Sequence, residues 1–205
     1  MSDPLDDQLE RARELGFLGP GPTAPHRAHA EAFLAGIGDG PVARCVDLGS
    51  GGGLPGLVLA MQLPASAWTF LDAMQRRTGF LQEAVNALGL ADRVQVVMAR
   101  AEVAGRDPGL RGHADLVVAR SFGPPAVTAE CGAPFLRPGG SLVVSEPPNL
   151  AGGGERWPKK GVAELGLEPP VLVAGPPSFV RLRLAHPVDE RYPRRTGIPG
   201  KRPLW

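Results

Sequence analysis

Short apolar runs alternate with longer amphipathic segments, and this alternation constrains the fold more than any other feature. Five apolar runs have the length and composition of buried strands: VARCVDL (42–48), AWTFLDA (67–73), RVQVVMA (93–99), ADLVVAR (114–120) and GSLVVSE (140–146). Most of the segments between them are long enough for a helix, which predicts a doubly wound parallel sheet. Two later runs, PPVLVAG (169–175) and SFVRLRLA (178–185), predict a terminal antiparallel hairpin.

The chain divides into three parts around this pattern. Residues 1–25 predict a short amphipathic helix (4–15) and a Pro/Gly-rich linker (16–25). Residues 26–188 form the predicted main domain, which begins with a helix over 26–37 and includes a later helix around 155–165. Residues 189–205 form a basic tail.

Length and composition exclude several protein classes. With 205 residues, the chain is long enough for one domain. It lacks a run of roughly 18 to 20 apolar residues, and its acidic start is unlike a secretory signal, so we expect a cytoplasmic protein with no membrane partner. Cys45 and Cys131 stand without ligand-spaced partners. We interpret both as core residues and expect no metal.

The charge distribution is uneven although the net charge is only +1. Residues 181–205 hold seven Lys or Arg against Asp189 and Glu190, so this segment carries +5 and the rest of the chain −4. A basic, proline-rich terminus suits a polyanion such as RNA. A solvated tail explains the charge alone equally well.

The stretch VDLGSGGGLPG (46–56) follows a predicted strand and opens a predicted helix. Glycines at 49, 51 and 53 permit positive φ angles and close approach of a ligand, while Pro55 suits a first helical turn. The pattern therefore predicts a binding site at the carboxyl edge of the sheet.

Two cofactor interpretations compete for this site. Gly51, Gly53 and Gly56 fit the dinucleotide pattern GxGxxG, and Asp72 follows at the expected distance. With Asp47, the same stretch reads DxGxGxG, which resembles the first motif of class I methyltransferases that use S-adenosylmethionine. Asp72 could hold the ribose of either cofactor.

Further segments resemble one family, the bacterial 16S ribosomal RNA methyltransferase G family, also called glucose-inhibited division protein B. The resemblance runs from about His26 to the C-terminus. It is carried by VDLGSGGGLPGLVLA (46–60), FLDAMQRRTGFLQ (70–82), Arg-Ala-Glu at 100–102, Ala-Arg-Ser at 119–121 and the tail RYPRRTGIPGKRPLW (191–205). The tail is the most specific of these segments.

This resemblance implies a Rossmann-like class I methyltransferase fold: a mostly parallel seven-stranded sheet, helices on both faces and a C-terminal antiparallel strand. It also implies the use of S-adenosylmethionine to methylate N7 of one guanine in 16S ribosomal RNA. Separately from the resemblance, we expect a monomer. We expect ribosomal RNA or the small ribosomal subunit as its partner. The implied cofactor residues are Asp47, Gly49, Ser50, Gly51, Gly53 and Leu54 at the methionine end, Asp72 at the ribose, Ala101 and Glu102 at the adenine, and Arg120 at the closing edge.

The tail residues Arg194, Arg195, Lys201 and Arg202 are the candidate RNA contacts. No catalytic base is expected, because guanine N7 already carries a free lone pair and positioning can supply most of the rate. Arginine commonly donates one hydrogen bond to guanine O6 and another to N7, and such a contact would block N7, the atom that is methylated. Arg120 is therefore expected to serve the cofactor, or to hold phosphate or only O6.

Two departures from the family leave other functions open. Family members carry Lys-Gly at the end of the fifth strand, where this chain has Ser145 and Glu146, and the family's Asn-Leu-Thr segment is missing near the N-terminus. A divergent paralogue acting on a small molecule or a protein is one alternative, and a non-catalytic, cofactor-binding RNA-binding protein is another. A nicotinamide-dependent oxidoreductase is least favoured, because no proton donor for hydride chemistry is evident.

Overall fold

The computed structural model of the protein describes residues 3–38, 40, 42–147 and 156–205. The strands are β1 (Arg44–Leu48), β2 (Ala67–Asp72), β3 (Val94–Met98), β4 (Ala114–Ala119), β5 (Leu136–Ser145), β6 (Val171–Val173) and β7 (Phe179–Arg183). The helices are α1 (Pro4–Glu14), α2 (Ala24–Glu31), α3 (Phe33–Ile37), α4 (Gly56–Gln62), α5 (Gln75–Ala87), α6 (Ala101–Ala104), α7 (Pro125–Gly132), α8 (Lys159–Glu164) and α9 (Ile198–Lys201), with a 3₁₀ turn over Ala133–Phe135.

The strands form one seven-stranded sheet in the order β3-β2-β1-β4-β5-β7-β6. Strands β1 to β5 are parallel, and β7 runs antiparallel to both of its neighbours, β5 and β6. This arrangement confirms the predicted fold class. The strand order reverses between β1 and β4, and open α/β sheets bind ligands in the crevice at such a point.

Each face of the sheet carries its own hydrophobic core. Phe33, Trp68 and Phe70 lie in the core on one face, and Phe135 and Trp157 lie in the core on the other. Cys45 and Cys131 are buried free cysteines, as predicted from their apolar surroundings. Burial raises the pKa of the Cys45 thiol to about 12, so this cysteine is held in its neutral form.

Several boundaries differ from the prediction. The helix expected over 26–37 is two helices, α2 and α3, separated at Ala32. The one expected around 155–165 is α8, and residues 148–155 lie outside the described residues. The four-residue helices α6 and α9 were not predicted, because they are too short to show a hydrophobic period.

The C-terminal tail packs against the domain instead of extending into solvent. The Arg111 guanidinium donates to the backbone carbonyls of Val188 (2.9 Å) and Tyr192 (2.8 Å). The indole nitrogen of Trp205 donates to the Arg156 carbonyl at 3.0 Å. The Trp205 ring also lies so close to Gly161 that a Cβ there would come within 2.4 Å of it. The tail therefore has a defined position on the domain.

In the part of the chain that the structure describes, no helix has both the length and the apolar character needed to cross a membrane.

Candidate functional site

The loop between β1 and α4, residues 49–55, has the conformation that its glycines predict. Gly49, Gly51 and Gly53 all have positive φ angles. The amides of Gly49 and Ser50 donate to the Leu71 carbonyl at 2.8 and 2.9 Å, which fixes the loop against the end of β2. A Cβ on Gly49 would lie 2.6 Å from the Phe122 ring, so the position requires glycine for its space as well as for its φ angle.

Asp47 lies beneath this loop at the end of β1 and is 1% exposed. Its Oδ2 accepts a hydrogen bond from the Gly56 amide at 3.0 Å, whereas its Oδ1 is buried without a hydrogen-bond partner among the described residues. Burial raises the pKa of Asp47 to about 7, although the Ser50 side chain, the Gly56 amide and the Arg120 charge oppose the shift. A buried carboxylate that lacks a full set of partners favours a cationic ligand nearby.

Asp72 lies at the end of β2 and joins two loops. Its Oδ2 accepts from the Gly51 amide at 3.0 Å and its Oδ1 from the Met74 amide at 2.9 Å. The Arg77 guanidinium lies 3.6 Å from the same carboxylate. An ionised carboxylate has about four acceptor positions, so Asp72 keeps capacity for ligand hydroxyls after binding both amides.

Two adjoining cavities open at this edge of the sheet. The glycine-loop cavity, about 220 Å³, is lined by the loop itself, by Arg120 and by residues of the segment before α2. The Asp72 cavity, about 250 Å³, is lined by the ends of β2 and β3 and the start of α6. Gly49, Arg77 and Ser121 line both cavities. The two cavities therefore form one elongated cleft across the ends of four neighbouring strands, β3, β2, β1 and β4.

The predicted cofactor residues gather along this cleft. Gly49, Ser50, Gly51, Leu54 and Arg120 line the glycine-loop cavity. Asp72, Ala101 and Glu102 line the Asp72 cavity. Asp47 lies behind the loop, and Gly53 turns inward, where a Cβ would come within 2.3 Å of Leu57.

The Glu102 carboxylate has a protein partner that the sequence did not predict. Its Oε1 accepts a hydrogen bond from the amide of Gly197, in the C-terminal tail, at 2.9 Å. Ala101 beside it is 6% exposed and begins α6. The tail therefore lies directly against the predicted adenine end of the cleft.

Arg120 follows the last residue of β4 and contacts the start of α2. Its Nη2 lies 2.8 Å from His26 Nδ1, and its Nη1 donates to the His26 carbonyl at 3.4 Å. Burial lowers the pKa of Arg120, and the nearby Asp47 carboxylate opposes that shift. Arg120 thus lies where β4, α2 and the glycine loop meet.

Among the four predicted RNA contacts, Arg194 differs from the rest. Its Nε and Nη2 donate to the two carboxylate oxygens of Glu130 at 2.8 and 2.6 Å, and the Glu130 side chain is 0% exposed. Arg195, Lys201 and Arg202 are exposed. The structure therefore gives Arg194 an internal partner and leaves the other three side chains at the surface.

Glu146, which stands where the family pattern has Lys-Gly, has buried partners within this chain. Its side chain is 0% exposed and forms an ion pair with Arg156 at 3.0 Å. Its Oε1 also accepts from the indole nitrogen of the buried Trp157 at 2.8 Å. The anion that departs from the family pattern is thus an internal packing partner.

Comparison with solved structures identifies the fold. A putative O-methyltransferase from Klebsiella pneumoniae matches with a TM-score of 0.61 and 17% identity, covering 91% of each chain. An O-methyltransferase involved in tomaymycin synthesis in Streptomyces achromogenes, solved in complex with S-adenosylmethionine, matches with a TM-score of 0.61 and 16% identity, also covering 91% of each chain. The chain has the class I methyltransferase fold.

Sequence comparison identifies the family. Residues 33–146 match the family described as rRNA small subunit methyltransferase G. Curated relatives with that name occur in Synechococcus sp. strain WH7803, at 34% identity, and in Prochlorococcus marinus strain MIT 9303, at 36%. Both alignments cover 78% of this chain, and they cover 66% and 68% of the relatives, so the chain spans about two thirds of their length. The chain belongs to the rRNA small subunit methyltransferase G family.

Some residues of the cleft were not predicted as site residues. His26, Arg77, Ser121 and Phe122 contribute to its lining. Ser121 and Phe122 come just after Arg120 at the end of β4, and Ser121 has a positive φ of 55°. Both could have been predicted as site residues, because open α/β sheets bind ligands at the carboxyl ends of their strands. His26 could not be predicted in this way, because it reaches the cleft from the N-terminal helix α2.

Proposed function

We propose that this protein transfers a methyl group from S-adenosylmethionine to N7 of a guanine in 16S ribosomal RNA. The observation that carries the proposal is the elongated cleft at the β1/β4 switch point, which is lined by the glycine loop and by Asp72 and has the incompletely paired carboxylate of Asp47 buried behind the loop. Family membership supports the same reaction. When bound, S-adenosylmethionine supplies an electrophilic methyl group on a sulfonium.

The residues of the cleft fit this cofactor by their chemistry. The Asp47 carboxylate provides negative potential for the cationic methionine end, and the glycine loop leaves space for its backbone. Asp72 is available to accept from the ribose hydroxyls while it also holds the Gly51 and Met74 amides. The start of α6 would border the adenine.

The acceptor chemistry needs orientation more than proton transfer. The N7 lone pair forms the new N–C bond while the C–S bond breaks and leaves its electron pair on sulfur, so no proton moves in this step. The protein has to align the two reactants and limit their motion.

We further propose that the protein acts as a cytoplasmic monomer on the small ribosomal subunit, with the packed tail as part of its RNA surface. Arg195, Lys201 and Arg202 are exposed on the segment that contacts Glu102. Phosphates bound there would lie near the adenosine end of the cleft. We assign Arg194 to holding the tail in place through Glu130.

Replacing Arg195, Lys201 and Arg202 together by Gln is expected to weaken RNA binding about 10-fold or more. It should also reduce the slope of log affinity against log salt by about 2 to 3, because each lost phosphate contact releases one counterion fewer. Filter binding to 16S RNA over a salt series measures both quantities. The control is Arg44→Gln, which removes an exposed cation at the opposite edge of the sheet. If Arg44→Gln weakens RNA binding as much per removed charge as the triple substitution does, the tail has no specific role in RNA binding.

Binding of S-adenosylmethionine at pH 7 is expected to release up to about 0.5 proton per protein, because Asp47, with its pKa near 7, ionises when a cation binds beside it. Calorimetry in buffers of different ionisation enthalpy measures this number. S-adenosylhomocysteine, whose sulfur is neutral, should release less, and Asp47→Asn should abolish the release. Unchanged release by Asp47→Asn would assign the proton to another group.

The acceptor class is tested by incubating the protein with labelled S-adenosylmethionine and small subunits that lack the family's modification. We expect label that is sensitive to ribonuclease and resistant to protease. Protease-sensitive label, or label in small molecules only, would favour the divergent-paralogue alternative. Tight cofactor binding with no transfer would favour a non-catalytic RNA-binding protein, and stabilisation by NAD alone would favour an oxidoreductase.

A further inference from the structure

The segment between α1 and α2, residues 15–23, forms one wall of the glycine-loop cavity and is here called the N-terminal loop. Phe17, Leu18 and Gly19 line the cavity directly. Leu18 lies so close to Gly52 that a Cβ there would come within 2.8 Å of its Cδ2. The Phe17 ring packs edge-on against Phe80 of α5 at 5.8 Å between ring centroids. The N-terminal loop therefore covers the methionine end of the cleft.

His26 joins this loop to Arg120. Its Nδ1 lies 2.8 Å from Arg120 Nη2, and its Nε2 lies near Gly19, 3.7 Å from the place that a Cβ on that residue would occupy. A guanidinium has only donors, so Nδ1 must accept and the proton of a neutral ring must lie on Nε2. That tautomer satisfies both contacts at once, because Nε2–H can donate to the loop while Nδ1 accepts from Arg120.

We propose that His26, neutral and protonated on Nε2, is a positioning residue that holds Arg120 and the N-terminal loop over the methionine end of the cofactor cleft. This inference rests on the proposed use of S-adenosylmethionine. It requires that the His26 ring be neutral and carry its proton on Nε2. Unlike the site residues that the sequence pattern predicts, His26 does not lie at a strand end. Protonation of His26 removes the Nδ1 acceptor and sets two cations against each other.

The surroundings of His26 favour the neutral ring. Burial lowers the pKa of His26, the Arg120 charge lowers it further, and the Gly19 backbone opposes the shift. His29, on the same helix, has its pKa lowered to about 4 and is neutral at pH 7. The Asp47 carboxylate acts on the Arg120 guanidinium, whose pKa it raises against the effect of burial. The His26–Arg120 contact should thus persist at neutral pH and weaken as the solution becomes acidic.

Two amide variants separate the two contacts of the ring. His26→Asn places an oxygen near the position of Nδ1 and keeps the acceptor for Arg120, whereas His26→Gln reaches toward the Nε2 position and loses it. We expect His26→Asn to bind S-adenosylmethionine within about threefold of the wild type, and His26→Gln and His26→Ala about 10-fold more weakly, as for loss of one charge-assisted hydrogen bond. His113→Ala, at an exposed histidine near the amino edge of the sheet, is the control and should match the wild type.

The dependence of cofactor affinity on pH tests the positioning role, because a purely structural role of His26 would not change this dependence. The affinity of the wild type relative to His26→Asn should fall as the pH decreases from 7.5 to 5, because only the wild type gains a charge at this position. Asp47 titrates in both proteins, so it cancels in the ratio. Thermal unfolding of each variant without cofactor confirms that it is folded.

The outcomes distinguish this inference from the function on which it rests. No binding of S-adenosylmethionine by the wild type overturns both. Two results would overturn the role of His26 alone. One is equal affinity for S-adenosylmethionine in the wild type, His26→Asn, His26→Gln and His26→Ala. The other is a ratio of wild-type to His26→Asn affinity that does not change with pH.

Discussion

Arg194→Ala is expected to lower the free energy of unfolding by about 3 to 5 kcal/mol, because it leaves the Glu130 carboxylate buried without its cation. Glu130 is 0% exposed and receives both donors of the Arg194 fork. The backbone amide of Arg194, at 2.8 Å, is the contact that would remain in the variant. Urea denaturation followed by circular dichroism measures the change, which is large for a domain of ordinary stability.

The adjacent Arg195→Ala is the matched control. Arg195 is exposed, and surface substitutions of this kind usually change stability by less than about 0.5 kcal/mol. Arg194→Lys should fall between the two, because lysine retains the charge but cannot form the two parallel hydrogen bonds. Equal stabilities for Arg194→Ala and Arg195→Ala would show that the tail does not depend on the buried pair.

Asp72→Ala is expected to weaken binding of S-adenosylmethionine by about 100-fold or more. The substitution removes the proposed acceptor of the ribose hydroxyls, and hydrogen bonds to a charged group contribute about 1.5 to 3 kcal/mol each. It also leaves the amides of Gly51 and Met74 without their acceptor, so the glycine loop loses one of its contacts with β2. Isothermal titration calorimetry measures the affinity directly.

Asp92→Ala provides the control for Asp72→Ala. Asp92 is an exposed aspartate before β3, at the opposite edge of the sheet, and its loss should leave the affinity unchanged. Asp72→Asn should retain part of the binding, because the amide oxygen can still accept one hydrogen bond. Wild-type affinity in Asp72→Ala would place the ribose elsewhere and contradict the proposed orientation of the cofactor.

The central strands β1, β2 and β4 could be predicted from the sequence because they are buried on both faces. Runs such as Leu116–Ala119 are apolar throughout, and the intervals between the runs suit helical crossovers. The loop after β1 was equally predictable, since its glycines occupy positions with positive φ angles. These features are local, so a single sequence contains them.

Contacts between distant segments could not be predicted in this way. Glu102 looked free to meet a ligand, yet its oxygen accepts from Gly197, 95 residues later. Arg194 looked like a surface cation, yet it pairs with Glu130, 64 residues earlier. Glu146 departs from the family pattern as an unpaired anion in the sequence, yet it accepts a hydrogen bond from Trp157. In each case the identity of the charge was plain in the sequence, and only the fold determined its partner.

The most direct test of the proposed function is to identify the nucleoside that receives the methyl group. Small ribosomal subunits lacking the modification are incubated with the protein and labelled S-adenosylmethionine, and their RNA is digested to nucleosides and separated. We predict that the label appears in 7-methylguanosine, and that Asp72→Ala removes it. Label in another nucleoside would contradict transfer to N7, and no label in RNA, with cofactor binding intact, would contradict ribosomal RNA as the substrate.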